Sequence, residues 1–314
     1  MKKLITPLLL AAILFSCGCT AGYINETQGD SMPPLQDSSE SEPTSLMPLY
    51  FRYYDEPILI RSSINVEISS QHPIEYYAIT ALLAGPSGQR PELTGCFGQN
   101  TKLLDIDSNK EYLYVTLSDD FLSDTQAATT EETRQNRKLS IYSIVNTVCE
   151  LGNFSQVQIY IHTNGAAQRP DSFEMGFAQT STDSSPLGPL TRNTEYILTP
   201  STAVKMALEH YSALEWNKLY YYLGDKDGAT VTLPLLEEMT RQFEYMNLIM
   251  TDFSADSNYT ISEDYKTAIV QVSFKIRAQN ANYIISGAPL ELVYKRRCWL
   301  ISYESFMRYL EVNS

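Results

Sequence analysis

His72, His162 and His210 are the only imidazoles in 314 residues. They share no metal spacing such as H-E-x-x-H: His72 precedes a predicted helix, His162 ends a predicted strand and His210 lies on a predicted helix. Two carboxylate pairs are more suggestive. Asp105 and Asp107 sit two apart on a predicted strand and so share a face, and Asp119-Asp120 follows the next strand. Together they could hold Ca²⁺, but a solvated strand face and an acidic exit loop account for them more simply. Near the C-terminus, Tyr220-Tyr221-Tyr222, Asp225 and Trp299 offer a pocket lining, with Tyr221, Tyr222 and Trp299 as the candidate ligand contacts. A tyrosine-rich helix end packed on a sheet is the plainer account. No G-x-S-x-G elbow, phosphate loop or dinucleotide fingerprint occurs. The pattern predicts no catalytic residue, no metal and no cofactor.

The cysteines divide into two groups. Cys96, Cys149 and Cys298 have no C-x-x-C spacing; Cys149 and Cys298 fall in apolar patterns as small core residues, and Cys96 lies in a Gly-rich loop. Cys17 and Cys19 follow Met1-Lys2-Lys3 and an apolar run of about a dozen residues, Leu4 to Phe15, too short to span a bilayer and of the length of a secretory h-region. Leu14-Phe15-Ser16-Cys17 resembles a bacterial lipobox, an aliphatic residue three before the cysteine and a small one just before it. Residues 1–16 are thus predicted to be a signal peptide and Cys17 the lipidated N-terminus, with Cys19 the alternative because Gly18 precedes it. The buried methylenes of the acyl chains would anchor the chain at about 0.8 kcal/mol each.

Residues 17–45 carry Glu26, Asp30, Asp37, Glu40 and Glu42 among Ser, Thr, Gln, Pro and Gly, and no Lys or Arg occurs between Lys3 and Arg52. Too little apolar surface is available there to offset the entropy of ordering, so the stretch is predicted to be an acidic flexible tether. The whole chain is acidic, with 23 Lys+Arg against 37 Asp+Glu and a formal net charge of −14. The longest basic cluster, Lys295-Arg296-Arg297, is too short to serve a phosphate backbone, which excludes nucleic acid as a partner. With 43% apolar residues, the rest of the chain has material for about two packed modules.

The first module spans 46–165. Two β-rich stretches, 46–54 and 58–68, precede a helix opened by Pro73 and closed by Gly85-Pro86. A hairpin follows over 101–107 and 112–117, then an amphipathic helix over 137–151 and a strand over 157–161. The order ββαββαβ predicts an α+β layer in which two helices cover one sheet face. The motifs Ala81-Leu82-Leu83-Ala84-Gly85-Pro86, Thr101-Lys102-Leu103-Leu104-Asp105-Ile106, Val115-Thr116-Leu117-Ser118-Asp119-Asp120-Phe121 and Val157-Gln158-Ile159-Tyr160-Ile161 resemble a GerM domain, a family named for spore germination and sporulation. The loop 94–100 departs from the family's usual turn. The resemblance implies a non-catalytic extracytoplasmic module, similar to ring-building folds in which the helices of one copy pack on the sheet of the next.

Residues 166–198 read as a linker, packed in part by Phe173 and Phe177. From Thr199-Pro200 a helix is predicted to run to Gly224, then a second over 235–248 and strands over 258–262, 267–278, 281–294 and 297–303. Helices followed by a long antiparallel sheet resemble an NTF2-like (cystatin-like) cone over 199–314, with Cys298-Trp299-Leu300-Ile301 resembling its closing strand. Enzymes and interaction modules share that fold, and its concave face can enclose a ligand. The chain therefore reads as a non-enzymatic lipoprotein on the outer face of a bacterial cell membrane, with the bilayer and envelope or sporulation proteins as partners, self-association included. The alternative is an extracytoplasmic module that captures a small molecule or cell-wall fragment in the cone.

Overall fold

The computed structural model describes residues 43–88, 90–124, 130–278 and 281–311. Cys17, Cys19, the predicted signal peptide and the predicted tether up to residue 42 lie outside the described residues. Strand β1 (Thr44–Tyr53) turns through Tyr54–Pro57 into β2 (Leu59–Glu67), and helix α1 (Ile74–Ala84) follows. The short β3 (Leu93–Thr94) leads to β4 (Leu103–Asn109) and β5 (Tyr112–Ser118), and α2 (Asp120–Asp124) precedes the long α3 (Thr130–Leu151). β6 (Gln156–Thr163), β7 (Ala166–Gln168) and β8 (Leu190–Thr191) complete the first half. The fold is mixed α+β with several sheets.

Two features differ from the expected order. β3 and α2 are additional, and the strands form two sheets, β2-β1-β3 and β4-β5-β6-β7 with β8 also on β6, instead of one. The reason lies on α3. Thr147 Oγ1 accepts from the Tyr50 amide at 3.1 Å and Ser143 Oγ donates to the Tyr50 carbonyl at 2.6 Å, so helix hydroxyls satisfy β1 backbone groups that a neighbouring strand would otherwise pair. α3 packs on β1 and also on β6, and residues 139–148 are buried on every side. A helix between two sheets cannot be one-sided. Its buried polar groups are used: Ser140 donates to the Cys96 carbonyl at 2.5 Å, and Asn146 exchanges hydrogen bonds with Asn193 at 2.9 and 3.2 Å. β6 lies parallel to β5, which requires the crossover that α3 supplies.

The Ser/Thr/Gly-rich stretch after residue 168 packs on this half through Met175 and Leu187, both buried. Asp171 Oδ1 accepts from the amides of Phe173 and Glu174, each at 3.0 Å, and the Arg134 guanidinium lies 4.5 Å over the Phe173 ring. Gly176 has φ +77°, and a Cβ there would stand 2.7 Å from the Arg134 carbonyl oxygen. Gly176→Ala is therefore expected to cost at least about 1–2 kcal/mol from the left-handed backbone alone, with a steric addition, read as a lower urea midpoint.

The second half begins with α4 (Pro200–Ser212), whose Thr199–Thr202 capping box and Pro200 make a strong start. The predicted continuous helix to Gly224 is broken: α4 ends, Leu214 is left-handed at φ 60°, and α5 (Trp216–Tyr221) starts anew. Neither Gly nor Pro marks the break; Glu215 returns its amide to the His210 carbonyl at 2.9 Å and its carboxylate to the His210 ring. Gly224 lies in β9 (Leu223–Gly224), where a Cβ would meet Leu300 Cδ1 at 2.8 Å.

After α6 (Leu236–Met246) come β10 (Ile249–Ile261), β11 (Thr267–Arg277), β12 (Asn282–Lys295) and β13 (Cys298–Ser302), in sheet order β10-β11-β12-β13-β9. Register shifts at Thr251/Ser254, Ala255/Tyr259 and Val272/Phe274 mark bulges, which bend strands. β11 alternates cleanly, with Ala268, Val270, Val272, Phe274 and Ile276 buried. β13 runs straight into α7 (Tyr303–Glu311), a helix absent from the sequence reading although Tyr303, Phe306, Met307 and Leu310 have helical spacing.

The interior of this half is filled by rings. Tyr211 meets Trp216, Phe243 and Phe306 at centroid distances of 5.3, 5.6 and 5.7 Å. The Tyr211 hydroxyl is buried without a hydrogen-bond partner among the described residues. A buried unpaired hydroxyl costs about 1–3 kcal/mol, so Tyr211→Phe is expected to raise the thermal midpoint by a few degrees in a calorimetric scan. The described residues form one compact unit.

Candidate functional site

Where the two halves meet, the chain leaves a cleft of about 930 Å³. Its walls come from the end of β1 (Tyr53, Tyr54), the middle of β2 (Ser62–Ile64), the loop before β3 (Arg90–Glu92), the end of α5 and β9 (Tyr220, Tyr221, Leu223–Asp225) and the β12–β13 turn (Lys295–Cys298). Aromatic contact joins the halves at its base. Tyr54 and Tyr221 stack at 3.9 Å with planes 11° apart, and the Tyr53 hydroxyl donates to the Tyr221 carbonyl at 2.6 Å. Arg90 bridges three groups: Nε to Glu92 Oε1 at 2.5 Å, Nη1 to Ser62 Oγ at 3.0 Å and Nη2 to the Arg296 carbonyl at 3.3 Å.

Beneath the cleft lies a polar cluster drawn from both halves. His210 Nε2 is 2.7 Å from Glu56 Oε2 and its Nδ1 is 2.8 Å from Glu215 Oε2. The Tyr222 hydroxyl donates to Glu56 Oε2 at 3.2 Å. A neutral imidazole has one donor nitrogen, whereas two carboxylates facing its two nitrogens need two, so the arrangement holds an imidazolium. Burial by itself lowers the His210 pKa, but the hydrogen bonds and charges of Glu56 and Glu215 raise it, and the net direction is upward. Glu56 is 1% exposed, and its Oε1 has no partner among the described residues.

Burial, reinforced by neighbouring acidic groups, lifts the Tyr53 and Tyr54 phenols above the ordinary tyrosine value and the Cys298 thiol to about 11. At neutral pH these groups stay protonated, and the charge in the cleft is set by Arg90, Lys295, Arg296 and Arg297 against Glu92 and Asp225. The cleft presents donors and ring faces.

Of the residues singled out by sequence, Tyr221 lines the cleft, with Tyr220 and Asp225 beside it. Tyr222 lies below, fully buried against Glu56 and His210. Trp299 points elsewhere, its ring 5.0 Å from Tyr294 and outside the lining. Asp105 and Asp107 are exposed on β4, and no group of three or more His, Cys, Asp or Glu able to hold a metal occurs among the described residues. Cys96 and Cys149 are half-buried and Cys298 buried, all three as free thiols; burial pushes Cys96 up to about 11. Glu56 and Arg90 escaped the sequence reading because neither belongs to a motif. Lys295-Arg296-Arg297 is visible in the sequence only as the longest basic run in an acidic chain.

Fold and site together define an α+β protein with an aromatic, cation-rimmed cleft between two halves. Residues 48–165 match the family model Germane, described as sporulation and spore germination, and form a GerM-type domain. Among solved structures the chain is similar to the tandem GerMN domains of the sporulation protein GerM from Bacillus subtilis, at 16% identity and a TM-score of 0.34 over 49% of this chain and 48% of that one. It thus spans about half the length of that tandem structure. The first GerMN domain of the same Bacillus subtilis protein is similar at 14% identity and a TM-score of 0.32, over 48% of this chain and 98% of that one. No curated protein matches the chain in sequence.

Proposed function

We propose that this chain is a non-enzymatic lipoprotein, held by an acylated Cys17 on the outer face of a bacterial cell membrane, that serves sporulation or germination through protein contacts of its GerM-type domain. The match of residues 48–165 to a sporulation and germination family carries the reading. The lipobox-like Leu14-Phe15-Ser16-Cys17 and the acidic stretch behind it support the anchor. Among the described residues no helix is long and apolar enough to cross a membrane. In this reading ββαββαβ is the plan of the first half, with β3 and α2 as insertions, and the second half is an NTF2-like cone whose interior its own rings occupy.

The contact face is the side of the β4-β5-β6 sheet on which Tyr112, Tyr114 and Tyr160 lie half-buried, with ring centroids 6.5 and 6.3 Å apart along the row. Their alternates Leu113, Val115, Ile159 and Ile161 face the core. Tyrosines suit an interface that is apolar on contact and hydrated when free, and a second GerM-type domain is the occupant assigned to it. Two measurements test the proposal. Cys17→Ala should move the protein from the membrane to the soluble fraction and remove the lipid mass from its N-terminus. Cross-linking of the native chain in membranes should give a self-adduct that Tyr114→Glu abolishes; a soluble native protein without lipid, or no adduct at any loading, would sink it.

A further inference from the structure

The cleft has a composition that protein contacts of the first half do not use. Four cations converge on it against two carboxylates, in a chain whose formal net charge is −14. Two of the four are already engaged: Arg90 with Glu92 and Ser62, and Lys295 with Asp227 at 2.7 Å. Arg296 and Arg297 are not. Both are exposed, and neither side chain has a hydrogen bond or ion pair among the described residues.

Their backbone is the second observation. Lys295 pairs with Cys298 across the β12–β13 hairpin, which leaves Arg296 and Arg297 as a two-residue turn with φ 52° and 63°. Both central residues are left-handed, the turn geometry for which Asn-Gly is preferred because an L side chain strains there. Two arginines hold a conformation that Asn-Gly would take more easily, and both line the one cavity. Arg90 binds the Arg296 carbonyl and ties that turn to the opposite wall.

Behind the cations stand the Tyr54–Tyr221 stack, the Tyr220 ring and the hydroxyl of Ser63. A ring with one apolar C–H face and hydroxyls around its rim complements such a wall, and a phosphate or carboxylate on it complements a guanidinium fork. A volume of about 930 Å³ is within the range of small-ligand sites. We infer that the cleft binds an acidic saccharide, its phosphate or carboxylate held by Arg296 and Arg297 and its ring laid against Tyr54 and Tyr221. The inference does not depend on the membrane anchor or on self-association.

Titration calorimetry and thermal shift on the full chain at low ionic strength test it, with N-acetylglucosamine 1-phosphate, N-acetylmuramic acid, neutral N-acetylglucosamine, inorganic phosphate and a tetraglutamate peptide as probes. Either acidic sugar should bind at least tenfold more tightly than the neutral sugar and than inorganic phosphate, and raise the melting temperature. The double variant Arg296→Asn with Arg297→Gly removes both charges and supplies the preferred turn. It should melt no lower than the parent without ligand and lose at least tenfold in affinity for the acidic sugar. Binding of the two acidic sugars no tighter than inorganic phosphate would show an adventitious ion only and overturn the inference. So would tighter binding of the peptide, equal binding of the neutral sugar, or a double variant that binds like the parent.

Discussion

Glu56→Ala is expected to destabilise the protein by about 3–5 kcal/mol, the usual cost of removing one member of a buried ion pair. Glu56 stands on the β1–β2 turn, 154 residues from its partner His210, and its Oε2 accepts from the ring Nε2 and from the Tyr222 hydroxyl. Without it the Tyr222 hydroxyl and the ring Nε2 lose their shared acceptor in a site where His210 is 6% exposed. Urea unfolding monitored by tyrosine fluorescence measures the loss, and Glu56→Gln, which keeps an acceptor but no charge, should recover part of it.

The same cluster sets a pH dependence. The groups around the ring are Glu56, Glu215 and Tyr222, with Lys218 on Glu215 at 3.4 Å and Glu209 near Tyr222. A histidine pKa raised on folding contributes stability that is fully present below the unfolded value and lost as pH rises through the folded value. Glu215, lowered chiefly by its hydrogen bond from His210, contributes above its unfolded value and loses the contribution as pH falls through the folded one. Stability should therefore fall as pH climbs past the ordinary histidine range toward the raised value. The fall should be largely absent in Glu56→Ala; an unchanged slope in that variant would remove the cluster from the account.

Phe243→Ala should be comparably severe, at about 3–5 kcal/mol. The ring is 2% exposed and meets Tyr211, Trp216 and Phe306 at centroid distances of 5.6, 5.3 and 6.3 Å. Removing it opens a void among rigid rings that cannot collapse into it, unlike a site lined by Met or Leu. The measurement is the denaturant midpoint, with Phe243→Leu as the graded control. A loss below about 1 kcal/mol would mean that the rings repack and that the interior of the second half is softer than its packing implies.

Local signals carried over into structure where the chain decides its conformation within a few residues. Thr199-Pro200 opens α4 through contacts three residues apart, Pro73 precedes α1 and Gly85 closes it with φ +84°, and β11 buries every second residue as its alternation demands. α7 has helical spacing too, but β13 enters it with no Gly or Pro, so nothing in the sequence punctuates the change of period. The α4–α5 break has no such signal either, because a carboxylate that turns back to His210 makes it, not a breaker residue.

Periodicity located α3 but could not show that it is buried all round, for a physical reason. A helical repeat of apolar residues reports one buried face, whereas Ser143 and Thr147 are buried because they hydrogen-bond the backbone of a strand nearly 100 residues earlier. Tyr220, Tyr221 and Asp225 stand out in the sequence, but what they face does not: Tyr54 meets Tyr221, Glu56 meets His210 and Arg90 meets Arg296 only in the folded chain. Composition and short-range pattern determined the elements, the acidic surface and the likeness of residues 46–165 to a GerM domain, since these depend on near neighbours and on the solvent. The division into two sheets, the imidazolium between carboxylates and the cation-rimmed cleft belong to the tertiary structure, because each is a contact between side chains that covalent order leaves far apart.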